Sequence, residues 1–380
     1  MPSQESYRDA LLQVIDEVVA PGAAEVDASG KFPVGQVEAL GAAGILGLTI
    51  PREYGGGGAG LREAADVVRE LGSACASTAM IVTMHYSAVA ALLTREDKET
   101  LRAVAEGTHL STLALSETGS RGHFWAPQST AVAEDDGVSV RLDASKSWVT
   151  SAGHANSYVW SSTPVSAGGP MTLWYVPAPA SGLSVAGTFD GLGLRGNSSA
   201  PMTADGVRVP LSDMLGTDGG GLDLAMAAVL PYFLICSAAM SAGLMQRLAG
   251  ETAAHLKRTH YAHLGQSLAQ QAQPRAQLAR LRIEADRTWA LVTAALDAVE
   301  AGRDDALLLV LEVKAAAGEA AADAADLALR AGGGSAFRKE SPVERLFRDS
   351  RAARVMSPTT EHLHDFVGRA LLGLPLLGEV

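Results

Sequence analysis

The spacing of apolar residues changes near residue 110. From Tyr7 to about Ala105, apolar side chains recur every three or four positions, which is the period of an amphipathic helix. A loop interrupts this region at Pro51–Gly58, because four consecutive glycines would lose too much backbone entropy inside a helix. From about Leu110 to Val209, short apolar and β-branched runs alternate with Gly, Pro, Ser and Asp, which predicts six or more short strands.

Helical patterns return after Gly221 and continue almost to the C-terminus. We predict four long helices joined by short loops, at about residues 222–258, 266–301, 304–331 and 341–373. Long helices with short connections pack as a bundle. The sequence therefore predicts an α+β fold with an N-terminal α-helical domain (1–109), a central β domain of barrel or sandwich type (110–218) and a C-terminal four-helix bundle (219–380).

One apolar stretch is long enough to cross a bilayer. Leu224–Gly250 holds no Asp, Glu or Lys and has a single Arg near its end. Pro231 lies inside it, Ser237 and Ser241 dilute its hydrophobicity, and no second such stretch follows. We therefore expect a helix that is buried on all sides in the bundle, and no membrane insertion.

Composition and charge narrow the function classes. The 380 residues are 47% hydrophobic and 19% charged, which is typical of a globular chain rather than a disordered one. A formal net charge of −12 argues against nucleic acid and anionic lipid as partners. The N-terminus lacks the uninterrupted apolar core of a signal peptide, and the two cysteines are far apart, so we expect a cytoplasmic protein without a disulfide framework.

The histidines do not have the spacing of a metal site. Three of them lie between His255 and His263 in a polar stretch without an acidic or cysteine partner. His362 and His364 are two residues apart and cannot share a helix face. We therefore predict no metal.

Five short motifs follow one another along nearly the whole chain. They are Ile50–Gly56, Ser116–Gly119, Lys146–Ser151, Gly193–Gly196 with Val207–Pro210, and the pair Arg348 and Asp349. Each motif is weak alone, but their order and separations together resemble the acyl-CoA dehydrogenase superfamily of flavoproteins. The resemblance implies an FAD cofactor and an oxidoreductase that acts on the CH–CH group of an acyl thioester, on CoA or on a carrier protein.

One segment spells a dinucleotide-binding pattern that we reject. Gly191–Gly196 reads GxGxxG, a pattern that needs a preceding strand and a following helix. Here Asn197–Pro201 follows, which cannot start a helix promptly.

The flavin ring needs an aromatic wall and donors at its polar edge. Trp148 and Thr150 are two apart on a predicted strand, so they should point to one face and supply the wall and a donor. By resemblance, Leu115 and Ser116 contact the other ring edge with main chain and hydroxyl.

The resemblance also implies flavin contacts in the C-terminal region. Thr359 and Glu361 would contact FAD from the last helix, and Gly332 and Gly333 would let the backbone approach a neighbouring subunit's cofactor. Gln271 is near the position of a family glutamine that binds the adenosine end. The Arg-x-x-Phe-Gly segment of the family reads Tyr261–Gly265 here and keeps only the glycine, so a guanidinium is lost at the pyrophosphate.

The carboxylate that removes the Cα proton is missing from both positions where the family carries it. Counting nine residues from Arg348 reaches Ser357, a hydroxyl without an adjacent His or Lys in the local sequence. The alternative position lies in Leu230–Leu234, and no acid occurs between Asp223 and Glu251. Glu361 is the carboxylate nearest to Ser357 in the sequence. We rank contact with the cofactor as its first expected role and action as a relocated base as its second.

Three functions therefore remain open. The first is a dehydrogenase of acyl thioesters, a homo-dimer or tetramer that passes electrons to an electron-transfer flavoprotein. The second is a flavin monooxygenase served by a flavin reductase, in which His85 and His123 face the flavin, unless His85 only packs on its helix. The third is a subunit without a base in a hetero-oligomer with a homologous chain.

Overall fold

The computed structural model describes residues 4–95 and 97–377. The chain divides into two compact units. The first contains the chain up to Val67, Met80–Gly191 and Arg195–Phe233, and the second contains Val68–Ala79, Leu192–Leu194 and everything from Leu234 onward. The predicted boundaries after residues 109 and 218 stay a prediction, because the two units follow packing in space and not the three sequence regions.

The N-terminal region is helical, as its apolar spacing predicts. Its helices are α1 (Gln4–Val14), α2 (Ala20–Ser29), α3 (Val34–Ala42), α4 (Leu61–Ala74), α5 (Ala76–Leu92) and α6 (Lys98–Ala105). A π-helical turn at Ile15–Val19 joins α1 to α2. The glycine-rich segment forms the predicted loop after a short 3₁₀ turn at Arg52–Tyr54. Gly56 is required there, since a Cβ atom would clash with the carbonyl oxygen of Ile50.

The middle region forms strands in two four-stranded sheets, within the residues that the structure describes. The strands are β1 (Ser111–Ala114), β2 (Thr130–Ala133), β3 (Ser139–Val149), β4 (Ser157–Ser162), β5 (Thr172–Pro177), β6 (Leu183–Val185), β7 (Ala200–Pro210) and β8 (Met214–Leu215). One sheet has the order β1-β4-β5-β8 and the other β2-β3-β7-β6. The β1 and β4 strands run parallel, and the other neighbours are antiparallel.

A shared apolar core lies between these sheets. One buried cluster combines residues of the first sheet with residues of the second: Ala114, Tyr158, Trp160 and Trp174 with Val140, Leu142, Met202 and Val207. Burial of large aromatic side chains from two facing sheets supplies most of the free energy that holds a sandwich together. The predicted β domain is therefore present as a sandwich.

A carboxylate fixes the loop that connects β4 to β5. Asp218 accepts hydrogen bonds from the backbone N–H groups of Val165, Ser166 and Ala167 at 2.8–2.9 Å, and from Thr172 Oγ1 at 2.7 Å. Burial opposes ionisation, but these donors outweigh it and lower the pKa of Asp218 to about 2. The loop is thus held by a permanent negative charge at neutral pH.

Long helices return after β8, as the third pattern predicts. They are α7 (Gly221–Leu224), α8 (Leu230–Arg258), α9 (Ala272–Glu300), α10 (Ala306–Ala336), α11 (Pro342–Asp349), α12 (Ala352–Val355) and α13 (Thr360–Leu371), with a π-helical turn at Ala225–Val229 and a small hairpin of β9 (His260–Tyr261) and β10 (Gln266–Ser267). In the second unit, α8, α9, α10 and α11 meet in a buried cluster that includes Leu244, Leu281, Ala321 and Leu346.

Two of the four predicted helices differ from expectation. The second begins at Ala272 instead of 266, because residues 260–267 pair as the β9–β10 hairpin. The fourth, predicted as one helix over 341–373, is divided into α11, α12 and α13. Proline has no N–H and its ring keeps the preceding residue out of the helical region, so Pro358 ends the helical path. Thr359 then begins α13 by accepting a hydrogen bond from the backbone N–H of His362.

The apolar stretch that could cross a bilayer is part of a core helix. The run Gly221–Arg258 has a mean hydropathy of 1.9 in its most apolar window, and 67% of that window is buried inside the fold. Such burial is the pattern of a helix that packs on protein on most sides.

Candidate active site

Trp148 is the most unusual aromatic residue in the first unit. The pairs Lys146 with Met202 and Val149 with Ala200 leave one extra residue on β3, so a β-bulge lies between them. Trp148 sits in this bulge with φ +56°, in the left-handed region that side chains other than glycine rarely adopt. Its side chain is 68% exposed. Strained, exposed aromatic residues of this kind concentrate at functional sites.

Trp148 and Thr150 differ in burial. Simple strand alternation predicts that they point to the same face. The strand β3 ends at Val149, so Thr150 lies beyond it, and the shared face stays a prediction. Thr150 is buried, and its Oγ1 lies 3.0 Å from Ser199 Oγ. Thr150 therefore presents a hydroxyl in a closed environment, while Trp148 presents an open indole face.

A buried hydroxyl lies next to Thr150. Ser151 has φ +60°, and its backbone N–H donates to the carbonyl of Asn197. Its Oγ atom is buried and has no hydrogen-bond partner among the described residues. A buried hydroxyl of this kind needs an acceptor or a donor to offset its desolvation.

The other predicted flavin segment lies beside the bulge. Ser147 donates its backbone N–H to the carbonyl of Ser116 at 2.9 Å, and Leu115 and Ser116 are half-buried. The structure therefore brings Leu115 and Ser116 next to the Trp148 segment, although they are more than 30 residues apart in the chain.

A buried ion pair that we did not predict joins these two segments. Lys146 Nζ lies 2.5 Å from Glu117 Oε1, and the two side chains are 0% and 3% exposed. The same ammonium donates to the carbonyl and Oγ of Ser161 at 2.7 and 2.8 Å. Burial lowers the pKa of Lys146 to about 8, although Glu117 opposes this shift. The signal in the sequence is a lysine between the apolar positions of a central strand, where charge is rare without a partner.

The second unit contains Ser357, the residue that the resemblance places at the position of the base. Ser357 is half-buried, with Met356 and Pro358 on either side in the chain. Lys314 Nζ donates to the carbonyl oxygens of Ala353, Met356 and Pro358 at 3.1, 2.9 and 2.8 Å. The three N–H groups of one ammonium thus match three carbonyls, and the backbone on both sides of Ser357 is fixed.

Glu361 is exposed in the first turn of α13. Hydrogen bonds from its own backbone N–H and from Thr359 lower the pKa of the Glu361 carboxyl below its usual range. An efficient base for Cα needs a raised pKa, so this environment favours a charged contact over proton abstraction. Thr359 caps α13, and the neighbouring Thr360 Oγ1 is buried without a hydrogen-bond partner in the described chain.

The remaining predicted cofactor residues are also in the second unit. Gly333 has φ +55° and kinks α10, and a Cβ atom there would meet open space. Gly333 is therefore accessible to an approaching group, whereas Gly332 is half-buried and a Cβ atom there would lie 2.5 Å from Ala336 Cβ. Gln271 is half-buried at the start of α9, and its Nε2 donates to Gln266 Oε1 at 2.9 Å.

The two histidines considered for oxygen chemistry are in different environments. His85 is fully buried, its Nε2 lies 3.0 Å from the carbonyl of Leu46, and its Nδ1 accepts the backbone N–H of Ser111. Burial lowers the pKa of His85 to about 4, so the ring is neutral at pH 7. These contacts favour the packing role for His85. His123 is exposed, with its ring centroid 4.8 Å from that of Trp125.

The absence of a metal stays a prediction. Over residues 4–95 and 97–377, no group of three or more His, Cys, Asp and Glu side chains has the arrangement of a metal site.

The GxGxxG segment is followed by strand β7 and not by a helix. A Cβ on Gly193 would lie 2.5 Å from the carbonyl oxygen of Arg348, and Leu194 N donates to Asp349 Oδ1 at 2.7 Å. This glycine therefore serves packing against α11.

The residues of the first unit fit a flavin ring. An exposed indole in a strained bulge offers an apolar wall, and the unpartnered Ser151 hydroxyl and the buried Thr150 hydroxyl offer polar contacts beside it. These groups of the first unit suit a large, mostly apolar ring with a polar edge. The second unit, taken by itself, offers the Thr360 hydroxyl, which has no hydrogen-bond partner among the described residues, and an accessible backbone at Gly333.

Comparison with known proteins gives consistent matches along the chain. Models of the acyl-CoA dehydrogenase N-terminal, middle and C-terminal domains match residues 1–104, 112–207 and 219–372. The mitochondrial short-chain specific acyl-CoA dehydrogenase of Homo sapiens is 31% identical over 353 residues, which cover 90% of this chain and 83% of that protein. The short-chain specific acyl-CoA dehydrogenase of Clostridium acetobutylicum is 27% identical over 365 residues, which cover 94% and 95%. The butyryl-CoA dehydrogenase structure from Megasphaera elsdenii aligns with a TM-score of 0.90 at 23% identity, over 98% of this chain and 99% of that one.

Proposed function

Because this chain belongs to the acyl-CoA dehydrogenase family, a family of FAD-dependent oxidoreductases acting on CH–CH groups, we propose that it binds FAD and oxidises an acyl thioester. The observation that carries the proposal is Trp148, an exposed indole held in a left-handed bulge beside the backbone of Ser116. Stacking against a flat apolar ligand would explain why a strained backbone keeps this indole exposed, whereas contact with water would not.

The resemblance implies cofactor contacts in each unit, taken separately. In the first unit, Trp148 would supply the apolar wall, and Thr150, Leu115 and Ser116 would contact the ring edge. In the second unit, the implied cofactor contacts are Thr359, Glu361, Gln271, Gly332 and Gly333, of which the two glycines would approach a neighbouring subunit's cofactor. When bound, FAD supplies the electron acceptor for the reaction.

The chain itself must bind the acyl group and manage the Cα proton. A serine hydroxyl with an ordinary pKa does not remove that proton at neutral pH, so position 357 does not act as the base. We place Glu361 first among relocated bases, since it lies four residues beyond Ser357 in the sequence, in the first turn of α13. Its lowered pKa predicts slow proton abstraction compared with a family member that keeps the carboxylate.

The test is the absorption spectrum of the purified protein, followed by anaerobic titration with acyl-CoA thioesters of increasing chain length. We expect a yellow protein whose flavin band bleaches with at least one thioester, and Glu361→Gln should slow the bleaching. Asp365→Gln, one turn further along α13, is the matched control and should have no effect. A yellow protein that ignores every thioester would refute the dehydrogenase proposal.

A second candidate, a flavin monooxygenase, is favoured by one specific observation. Neither family position carries an acid, and the pKa of the nearest carboxylate, Glu361, is lowered. Oxygen chemistry on a reduced flavin needs no Cα base, so it is compatible with this lack of an acid. It predicts oxygen consumption that requires a flavin reductase and a reduced nicotinamide. A protein that bleaches anaerobically with thioesters does not need this alternative.

Assembly is part of the proposal. Large apolar side chains in the second unit are strongly exposed, among them Phe337 at 78%, Leu372 at 76% and Val355 at 73%. Exposed apolar groups of this size favour association between subunits, and we propose a homo-oligomer in the cytoplasm with an electron-transfer flavoprotein or a flavin reductase as partner. Light scattering should give a mass that is a multiple of 39.2 kDa. A colourless monomer that becomes yellow on coexpression with a homologous chain would support the hetero-oligomer instead.

A further inference from the structure

The Lys146–Glu117 pair is a costly feature of the first unit. Counted over the whole residue, backbone included, Lys146 is 1% exposed and Glu117 is 5% exposed. Moving two charges out of water costs several kcal/mol, and well-packed apolar residues of the same size often stabilise a fold equally well. The pair therefore needs a reason other than stability.

The hydrogen bonds of the pair are complete. The ammonium of Lys146 uses its three N–H groups on Glu117 Oε1, Ser161 O and Ser161 Oγ. Glu117 Oε2 accepts the backbone N–H groups of Gln128 at 2.5 Å and Ser129 at 3.0 Å, and Oε1 also accepts the hydroxyl of Ser129. A single buried pair thus joins β3, β4 and both ends of the loop between residues 117 and 129.

The pair is adjacent to the proposed flavin face on both sides. Glu117 directly follows Ser116, and Lys146 directly precedes Ser147. Glu117 and Lys146 form an antiparallel β-bridge, and Ser147 N donates to Ser116 O. The β-bulge with Trp148 begins immediately after Lys146. A shift of one residue between these segments would turn the indole away, because side chains alternate along a strand.

We propose that the Lys146–Glu117 pair is a positioning element that fixes residues 115–117 against residues 146–149 and so holds Trp148 in its left-handed, exposed conformation. That this conformation serves a flavin rests on the proposed function above. Neither residue is proposed as catalytic, since both side chains are buried and their polar atoms are engaged within the fold.

The main test uses a neutral double variant, Lys146→Met with Glu117→Gln, which removes both charges without leaving one unpaired. The matched control is Arg95→Met with Asp213→Asn. It removes another ion pair of the same unit, whose Nη2–Oδ1 distance is 2.6 Å and whose side chains are 19% and 9% exposed, together with the contact of Arg95 Nη1 to Asp97 Oδ2 at 3.0 Å. Circular dichroism and thermal unfolding check that both double variants fold.

Two measurements separate positioning from mere stability. Backbone hydrogen exchange of residues 145–151 in the FAD-free protein should accelerate about tenfold or more in the Lys146/Glu117 variant. Release of FAD should accelerate by a similar factor in the holoprotein, as expected for a loss of about 1.4 kcal/mol. The Arg95/Asp213 control should leave both rates unchanged, even if it lowers the melting temperature as much.

Wild-type exchange in 145–151 together with wild-type FAD release in the double variant would overturn the proposal. If the double variant does not fold, Glu117→Asp replaces it, because it keeps the charge and withdraws the carboxylate by one methylene. The same acceleration is then expected, and its absence overturns the proposal. If the wild-type chain itself binds no FAD, the proposed function fails, but exchange in the FAD-free protein still decides the positioning role.

Discussion

Trp148 meets Phe189 edge to face, with ring centroids 6.4 Å apart and ring planes at 88°. This contact supports one side of the indole and leaves the other side open. Edge-to-face pairs contribute about 0.5–1.5 kcal/mol beyond area burial, which helps offset the cost of the left-handed backbone. An aromatic wall is therefore held ready at the β3 bulge.

Replacement of Trp148 separates the backbone strain from the proposed flavin contact. Trp148→Gly removes the left-handed penalty and Trp148→Ala keeps it, so the Gly variant should be more stable than the Ala variant by about 1 kcal/mol in urea unfolding. Both variants lose the indole and should retain much less FAD after dialysis. Wild-type flavin occupancy in both would remove Trp148 from the site.

Restoring an acid at position 357 should restore dehydrogenase chemistry. Ser357→Glu places a carboxylate at the position where the resemblance implies the base, and general bases contribute about 10²- to 10⁴-fold. We expect anaerobic bleaching by a short acyl-CoA to become about 100-fold faster than in the wild type. Ser357→Gln has nearly the same shape and no base, so equal rates in the Glu and Gln variants would contradict the prediction.

His85 should affect folding and not the flavin. His85→Leu leaves the N–H of Ser111 and the carbonyl of Leu46 without their partner, and should lower the free energy of unfolding by about 2–4 kcal/mol. The folded-state pKa of about 4 is below the ordinary value of 6.5, so the wild type should lose stability as the pH falls from 6.5 towards 4. This slope should be smaller in the variant. A changed flavin spectrum in His85→Leu would instead favour a flavin-facing histidine.

The Asp218 carboxylate should stabilise the protein in a specific pH range. Its folded pKa of about 2 is below the ordinary 3.8, so its contribution is present above about pH 4 and is lost as the pH falls towards 2. Asp218→Asn should lower stability by about 1–2 kcal/mol at pH 7, and by less at pH 3. Urea unfolding at the two pH values measures this. Asp135→Asn, an exposed control, should change stability by less than about 0.5 kcal/mol at both.

Much of the fold follows from periodicity, because the hydrophobic pattern changes where the structure changes. The sandwich strands lie within 110–218, and α8 runs through the apolar stretch that could have been a membrane span. The fourth bundle helix could not be predicted as three pieces. Its apolar spacing continues through the break, while the break itself depends on Pro358 and on the distant Lys314.

The candidate site was predictable as a set of segments and not as a geometry. Motif order pointed to Trp148, Ser116 and Ser357, but strand alternation did not predict the bulge in which Trp148 adopts its left-handed conformation. The β-bulge depends on pairing with β7, which is more than 50 residues away in sequence and carries no local signal. The Lys146–Glu117 pair could not be predicted for the same reason, because the two residues are 29 positions apart and come into contact only in the folded structure.

Lys314 bears on how position 357 tolerates substitution. It donates to three carbonyl oxygens around Ser357, and every amino acid possesses a carbonyl oxygen. These three contacts do not depend on which side chain stands at position 357, so a substitution there leaves this anchor of the backbone in place.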